Sequence, residues 1–278
     1  MKHEEGFFRG VRDANLYHQA WLPEGEVRAV LLVVHGLAEH SGRYMNLVER
    51  FVPMGYAVYG IDHLGHGRSE GLRLVVERFK DYTDPLEAFR DRIRGWQPER
   101  PVFLVGHSMG GLIGATHLLS RQVAYAGAVL SGPAVKAPRD LPKTTILAGK
   151  VLSVLAPRLG LVPLDAEGVS RDPAVVQAYC ADPLVCRGKV TARLGAEMLG
   201  AMERLLAEAR RITLPLLIVQ GGADRLVDPA GARMLCDAVG SSDRKLIVYE
   251  GLYHEVFNEP ERDRVFADLQ TWFEAHQG

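Results

Sequence analysis

The segment Gly-His-Ser-Met-Gly at residues 106–110 contains a serine in a pattern that supports nucleophilic catalysis. An apolar run at 101–106 precedes it, and small and apolar residues follow at 110–119. A strand, then Gly-x-Ser-x-Gly, then a helix is typical of a nucleophile elbow, a strained turn that exposes the serine hydroxyl at the end of a strand. Glycine at both ends lets the strand and the helix approach closely. We therefore predict that Ser108 is a catalytic nucleophile.

A serine hydroxyl is a poor nucleophile at neutral pH, so it needs a base that removes its proton. In chains with such an elbow, a carboxylate and then a histidine follow the serine, each on a loop after a later strand. His276 lies near the end of a predicted terminal helix, whereas His254 comes soon after a strand that ends at Tyr249. We predict that His254 is the general base.

The carboxylate that orients this base is expected on the loop after the strand at 216–221. This loop offers Asp224 and Asp228. Asp224 is closer to the end of the strand, whereas Asp228 precedes Pro229 and suits the N-cap of the next helix. We favour Asp224 as the third member of a Ser-His-Asp triad.

Two backbone N–H groups must stabilise the negative charge that develops on the attacked carbonyl oxygen. The residue after the nucleophile, Met109, supplies one of them. The loop after the strand at 30–35 is expected to supply the other, and Leu37 is the candidate. Gly36 lets the backbone of this loop turn close to the serine.

Strands alternate with helices over most of the chain. The predicted strands are a hairpin at 7–11 and 16–22, then 30–35, 57–62, 102–107, 127–131, 214–221 and 245–249. Besides the helix after the elbow, the predicted helices are 44–54, 84–96, 229–239 and 260–276. This alternation predicts a mostly parallel sheet with helices on both faces.

The alternation stops between residues 133 and 211, where the sequence is helix-like and interrupted by prolines, Pro138 among them. We predict a core domain made of residues 1–132 and 212–278, with residues 133–211 inserted as a mainly helical cap. The cap run at 146–156 is mostly apolar but too short to span a bilayer. It could contact a lipid surface or pack on the core, and the sequence leaves both open.

Bulk composition limits the partners and the compartment. The net charge is −1, so a nucleic-acid partner is not expected. The N-terminus is charged, with no apolar leader after it, and three cysteines are too few for a disulfide framework. No stretch of about 18 apolar residues is present. We expect a cytoplasmic protein, peripheral to membranes if the cap contacts lipid; the sequence gives no oligomeric state.

Beyond the elbow, several longer motifs resemble those of the monoacylglycerol lipase family of α/β-hydrolases. The resemblance covers nearly the whole chain, from about residue 7 to residue 274. It rests on HGLAEHSGRY at 35–44, DHLGHGRSEG at 62–71, SRDP at 170–173, YCADPLVC at 179–186, QGGADR at 220–225 and YEGLYH at 249–254.

The resemblance implies an α/β-hydrolase fold and hydrolysis of monoglycerides to a fatty acid and glycerol, without a cofactor. Carried over position by position, it also implies that Glu39, Arg43, His107 and Tyr179 hold the glycerol head group. Each has an alternative. Glu39 and Arg43 could pair with each other, Tyr179 could pack in the cap, and His107 could brace the elbow.

Two other functions share these features. A general carboxylesterase or lysophospholipase would use the same triad, and a ligand sensor could use the fold without turnover. His63 and His66, with Asp62, resemble a metal-binding group. The glycines between and after them favour a tight turn instead, and the triad needs no metal, so we predict no metal site.

Overall fold

The computed structural model describes residues 1–137 and 142–277. Residues 138–141 of the predicted cap, which include Pro138, and residue Gly278 lie outside the described ranges. Within these residues the strands are β1 (Lys2–Arg9), β2 (Asn15–Leu22), β3 (Ala29–Val34), β4 (Tyr56–Ile61), β5 (Val102–His107), β6 (Gly127–Ser131), β7 (Gly160–Pro163), β8 (Lys189–Thr191), β9 (Leu216–Gly221) and β10 (Arg244–Tyr249). The helices are α1 (Met45–Phe51), α2 (Lys80–Trp96), α3 (Met109–Arg121), α4 (Lys143–Leu155), α5 (Pro173–Ala181), α6 (Ala192–Glu208), α7 (Ala230–Ala238) and α8 (Arg262–Ala275).

Eight of these strands form one sheet in the order β1-β2-β4-β3-β5-β6-β9-β10. The pairs β1–β2 and β2–β4 are antiparallel, and every other neighbouring pair is parallel. The central strands are fully buried, as their continuous apolar runs predict for a sheet covered on both faces. The carboxyl ends of β5, β9 and β10 therefore lie at one edge, where the predicted catalytic loops begin.

Each face of the sheet carries its own hydrophobic core. Leu32 of β3 packs on the side of α2, α3 and α7, whereas its neighbours Leu31 and Val33 pack on the side of α1 and α8. On the second side, the Phe51 ring of α1 meets the Phe273 ring of α8 edge-on, with 5.4 Å between ring centroids. Burying each such side chain stabilises the fold by about 1.5–3 kcal/mol. The predicted α/β layering is confirmed.

Several predicted boundaries were wrong by a few residues. Strand β1 begins at Lys2 rather than Phe7, because its charged first half still pairs with β2. The predicted helix at 44–54 is regular only over Met45–Phe51; it continues as a 3-10 turn that contains Pro53 and ends at Gly55, where φ is +91°. Helix α2 starts at Lys80, four residues before the predicted start. Proline and charge patterns therefore located these ends only approximately.

The predicted cap contains helices α4, α5 and α6, as its helix-like sequence indicates. It also contains the small antiparallel pair β7–β8, which the sequence analysis missed because the two strands are short and far apart in the chain. Helix α6 packs with α4 on one side and with α3 of the core on the other. The division of the chain at residues 133 and 211 stays a prediction. In the part of the chain that the structure describes, no helix is long and apolar enough to cross a membrane.

Candidate active site

The elbow between β5 and α3 is built around glycines that have no room for a side chain. A Cβ on Gly110 would lie 1.9 Å from the carbonyl oxygen of Val34, and one on Gly106 would lie 2.6 Å from that of Gly110. Both contacts are with backbone, which cannot move aside as a flexible side chain would. The two glycines of the pattern thus let α3 start directly against β3 and β5.

Ser108 lies at the apex of this elbow in a strained conformation, with φ of 54° and ψ of −119°. Such a backbone conformation costs roughly 1–3 kcal/mol and persists only where its surroundings enforce it. Three backbone hydrogen bonds do so: the Ser108 amide donates to Ser131, and the amides of Leu112 and Ala134 donate to the Ser108 carbonyl oxygen, at 2.9–3.1 Å. The side chain is half-buried and faces the cavity described below.

His254 and Asp224 form a hydrogen-bonded pair at the same edge of the sheet. The distance between His254 Nδ1 and Asp224 Oδ2 is 2.7 Å, and both side chains are at most 5% exposed. Since the carboxylate accepts only, Nδ1 carries a proton and donates it, which leaves Nε2 of the neutral ring as an acceptor. This is the orientation that a general base next to a serine needs.

Electrostatics favour an ionised Asp224 and a readily protonated His254. Burial acts to raise the pKa of Asp224, but His254 and the amides of Val227 and Leu226 stabilise the carboxylate, so its pKa is lowered. Burial acts to lower the pKa of His254, but the charge of Asp224 and its hydrogen bond outweigh burial, so the pKa is raised above 6.5. The pair therefore stabilises the imidazolium that proton transfer would create.

Two residues that the sequence analysis did not select support this pair. Gln220 donates from Nε2 to Asp224 Oδ2 at 2.9 Å. Gly132, with φ of +49°, has no side chain where a Cβ would lie 3.1 Å from His254 Nδ1. Gln220 is the second-last residue of the predicted strand before the acid loop, and a polar residue in that apolar strand was the available signal. The alternative acid, Asp228, instead accepts from the Ala230 amide at the start of α7, at 3.0 Å.

The loop from 36 to 40, which we name the oxyanion loop, passes directly beside the serine. A Cβ on Gly36 would lie 3.2 Å from Ser108 Cβ. Within the described residues, 1–137 and 142–277, neither the Leu37 amide nor the Met109 amide donates a hydrogen bond to a protein acceptor. Met109 directly follows the nucleophile, and Leu37 follows Gly36 and lines the same cavity as Ser108, so the described structure leaves two N–H donors without a protein acceptor at the positions predicted for an oxyanion hole.

A cavity of about 420 Å³ opens in front of Ser108 and His254. Its core side contributes polar groups, including Glu39, His107 and Glu255. Its cap side is mostly apolar, although Lys136 and Asp165 also line it; the apolar and aromatic residues there include Val162, Pro163, Leu164, Val169, Tyr179, Val190, Met198, Leu199 and Met202. A polar corner beside the nucleophile and an apolar remainder suit an ester with a small polar alcohol and a long acyl chain.

His107 braces the elbow and also faces the cavity. Its Nδ1 lies 3.1 Å from the carbonyl oxygen of Ser131, and its ring centroid is 4.6 Å from that of His254. Burial and the nearby His254 lower the pKa of His107 to about 3, so the ring is neutral. With Nδ1 donating to Ser131, Nε2 is an acceptor. Both roles considered for this residue are therefore compatible with its position.

The other three predicted glycerol residues are not equivalent. Glu39 and Tyr179 line the cavity, but Arg43 does not. The Arg43 guanidinium lies behind the wall, 2.9 Å from Glu39 Oε2 and 2.6 Å from Glu255 Oε1, and 4.6 Å from the centre of the Tyr179 ring. It thus holds the residues that line the polar corner. The two carboxylates beside Arg43 raise its pKa despite burial.

Glu39 is itself fully engaged by the protein. Its Oε1 accepts from the Gly36 amide at 2.6 Å and from the Tyr44 hydroxyl at 2.8 Å. Burial raises the pKa of Glu39, although Arg43 opposes the effect. The sequence analysis missed Glu255. Whereas the pKa of Glu39 is raised, that of Glu255 is lowered, because Arg43 binds Glu255 through both terminal guanidinium nitrogens. Its position directly after His254 was the only signal.

The histidines considered as metal ligands have other partners. His63 donates its amide to His35 Nε2 at 2.9 Å, and its ring lies 4.1 Å from that of His35. His66 Nδ1 contacts the carbonyl oxygen of Leu64 at 3.0 Å, and Asp62 accepts from Ser41 Oγ at 2.6 Å. Among the described residues, no group of three or more His, Cys, Asp or Glu side chains could hold a metal ion. This cluster fixes the turn at 62–67.

Comparisons with known proteins agree with this fold. The family model described as serine aminopeptidase S33 matches residues 25–261. The chain is 40% identical to a monoacylglycerol lipase of Mycolicibacterium smegmatis over 98% of its own length and 97% of the relative's, and 38% identical to human monoglyceride lipase over 92% and 86%. The solved structure of a monoacylglycerol lipase of Paleococcus ferrophilus matches with a TM-score of 0.85 and 32% identity, covering 94% of this chain and 99% of that one.

The family match covers most of the chain, and both relatives align over nearly their full lengths. The eight-stranded, mostly parallel sheet with helices on both faces is the fold of the matched structures. The chain therefore belongs to the serine aminopeptidase S33 family of α/β-hydrolases, and within it to the monoacylglycerol lipase family that its motifs resemble.

Proposed function

We propose that this protein is a monoacylglycerol lipase that hydrolyses monoglycerides through Ser108, His254 and Asp224. The observation that carries the proposal is the cavity in front of Ser108, which has a small polar corner on the core side and an apolar wall on the cap side. A monoglyceride has the same division, because a diol head joins an acyl chain at the ester. The similar proteins named as monoacylglycerol or monoglyceride lipases support the same substrate class.

The reaction proceeds in two halves. Ser108 Oγ attacks the ester carbonyl carbon while its proton moves to His254 Nε2, and the Leu37 and Met109 amides stabilise the oxyanion. The bond to glycerol then breaks, and glycerol leaves with the proton from His254. Water next attacks the acyl-enzyme and gives its proton to His254, and Ser108 regains that proton as the fatty acid departs. Asp224 holds the imidazole in the required tautomer throughout.

The head group is recognised by the polar corner. His107 Nε2 accepts a hydrogen bond, and the Tyr179 hydroxyl can donate one because burial keeps its pKa well above the ordinary value. Arg43 acts from behind by holding Tyr179 and Glu39 in place, and Glu255 binds the Arg43 guanidinium. Diglycerides and triglycerides carry a second acyl chain where this corner accepts a hydroxyl, so they fit less well.

The cap is proposed to meet lipid surfaces through α4. Leu147, Val151, Val154 and Leu155 are between 52% and 76% exposed and lie on one helical face, while α4 packs on α6. A helix of this kind buries its apolar face at a membrane interface. The three cysteines are free, which suits a reducing compartment. We thus propose a cytoplasmic enzyme that collects substrate from lipid surfaces.

Initial rates on several substrates test the proposal. They are a mono-, a di- and a triacylglycerol and a lysophospholipid with the same acyl chain, and a short p-nitrophenyl ester. We expect the monoglyceride to give the highest kcat/KM, and Ser108→Ala to lose at least about 10⁴-fold on every substrate. Equal rates on lysophospholipid or on the short ester would make the protein a general esterase. Retained turnover in Ser108→Ala would contradict the mechanism.

A further inference from the structure

A turn of the cap bonds directly to the oxyanion loop. We name residues 182–186 the cap turn. The Cys186 amide donates to the carbonyl oxygen of Ala38 at 2.8 Å, and the His40 ring contacts Asp182 Oδ2 through Nε2 at 2.9 Å. The cap turn therefore bonds to the residue directly after Leu37, Ala38, and to the third residue after it, His40.

The bond between His40 and Asp182 has a defined direction. His40 Nδ1 accepts from the Gly42 amide at 3.2 Å, so Nε2 carries the proton and donates to the carboxylate. The other carboxylate oxygen of Asp182 accepts from the Leu184 amide at 2.8 Å, which shapes the cap turn itself. The His40 side chain is 9% exposed and that of Asp182 is 25% exposed. A bond so shielded, with a carboxylate acceptor, is stronger than an exposed ion pair.

The oxyanion loop needs such support, because Ala38 has φ of +67°. This left-handed conformation is unfavourable for alanine by about 1–2 kcal/mol, so the loop would relax without external bonds. On one side of Leu37, the Gly36 amide donates to Glu39 of the same loop, and Tyr44 outside the loop donates to the same carboxylate oxygen. On the other side, the Ala38 carbonyl oxygen is fixed by Cys186 of the cap turn. The Leu37 amide thus lies between a bond that reaches the core through Glu39 and a bond that reaches the cap turn.

We propose that His40 and Asp182 are positioning residues that dock the cap turn on the oxyanion loop and thereby set the Leu37 amide. The inference rests on the proposed hydrolase mechanism and extends it, since the cap then contributes to the chemical step as well as to the shape of the cavity. Its consequence is specific: loosening the cap turn lowers turnover even of a substrate that is too small to touch the apolar wall.

The test is kinetics on p-nitrophenyl acetate with Asp182→Asn, His40→Ala and His40→Gln. Loss of a whole oxyanion donor costs about 10²–10³-fold in kcat, and a misplaced donor costs part of that. We expect kcat to fall about tenfold in Asp182→Asn and His40→Ala with little change in KM. The inhibition constant of a trifluoromethyl ketone, which mimics the tetrahedral oxyanion, should rise by the same factor. His40→Gln keeps an N–H donor and should recover most of the activity.

Glu261→Gln is the matched control, because Glu261 pairs with Arg171 and so links the core to the cap at another place. It should leave kcat on the acetate ester unchanged. Unfolding temperatures of all variants separate lost activity from lost folding, and each assay is run below the lowest of them. If Asp182→Asn and His40→Ala keep the wild-type kcat and ketone affinity, the inference is wrong. It is also wrong if Glu261→Gln loses as much kcat as these two variants. Failure of the wider mechanism would show separately, as turnover in Ser108→Ala.

Discussion

The two walls of the cavity are built in opposite ways. Behind the core wall, the glycines of the elbow are packed against backbone atoms, as at Gly110, where a Cβ would lie 1.9 Å from an oxygen. In α6, which contributes to the cap wall, a Cβ on Gly195 would meet its nearest neighbour, Val190, at 3.9 Å, and one on Gly200, away from the cavity, would meet nothing within 4 Å. The core wall carries polar groups with defined partners, and the cap wall is mostly apolar.

This difference separates two tasks. Proton transfer and oxyanion stabilisation need groups held to within a fraction of an ångström, so the core wall is rigid. An acyl chain is recognised by apolar area without direction, so the cap wall can leave space. The cap turn joins the two, because it is the part of the cap that bonds to the oxyanion loop. Changes to the core wall should therefore alter rate, and changes to the cap wall should alter preference.

The largest effect is expected at Asp224. Asp224→Asn removes the carboxylate that fixes the His254 tautomer, so kcat should fall by about 10⁴-fold. Asp228→Asn is the matched control on the same loop, since an asparagine oxygen can still accept from the Ala230 amide. Its kcat should remain within a few-fold of the wild type. Steady-state rates on a monoglyceride give kcat for both variants. If Asp228→Asn loses more kcat than Asp224→Asn, the two aspartates exchange roles.

The pH profile gives a second measure of the same pair. His254 must be neutral to accept a proton, and Asp224 raises its pKa above 6.5. The kcat/KM of the wild type should therefore fall on acidification with a midpoint above pH 6.5. In Asp224→Asn the residual activity should fall at a lower pH, because the cause of the raised pKa is gone. An unchanged midpoint would assign this limb to another group.

The contrast in packing can be tested by adding one methyl group on each side. Gly110→Ala places a Cβ against the Val34 carbonyl oxygen, so we expect loss of more than about 3 kcal/mol of folding free energy or failure to fold. Gly195→Ala lies inside α6, where space is open, and should stabilise the protein by about 0.5–1 kcal/mol. Thermal unfolding measures both. Similar effects at the two sites would remove the distinction between the walls.

The smallest effect is expected at the polar corner. Tyr179→Phe removes one hydroxyl and keeps the ring over Arg43. Because one hydrogen bond contributes about 0.5–1.5 kcal/mol, kcat/KM on a monoglyceride should fall about 2–12-fold, and that on a short p-nitrophenyl ester should not change. An equal loss on both substrates would argue against a glycerol contact. Glu39 is less suitable, since its loss would also free the Gly36 amide.

The sequence was sufficient to predict the fold and the pairing of His254 with Asp224. The elbow pattern, continuous apolar strands and the order serine, aspartate, histidine are local signals, and His254 and Asp224 indeed lie 2.7 Å apart. What it did not predict depends on contacts between distant segments. Arg43 was expected to face glycerol, but Glu255, far away in the chain, draws it behind the wall. The pairing of β7 with β8 and the bond from Cys186 to Ala38 have no local signature.

The pairing of β6 with β9 has a consequence for how the chain reaches this structure. Residues 132–215, which contain the predicted insertion, separate the two strands, and Ala128 pairs directly with Leu216. During synthesis, the half of the sheet that carries Ser108 can form while β6 is still an open edge, a site for unwanted association. Closing the sheet later depends only weakly on the length of the insertion, by about 0.6 kcal/mol per doubling. Exchange or lengthening of the insertion is thus thermodynamically inexpensive, which makes it a natural place for evolution to change the range of esters accepted.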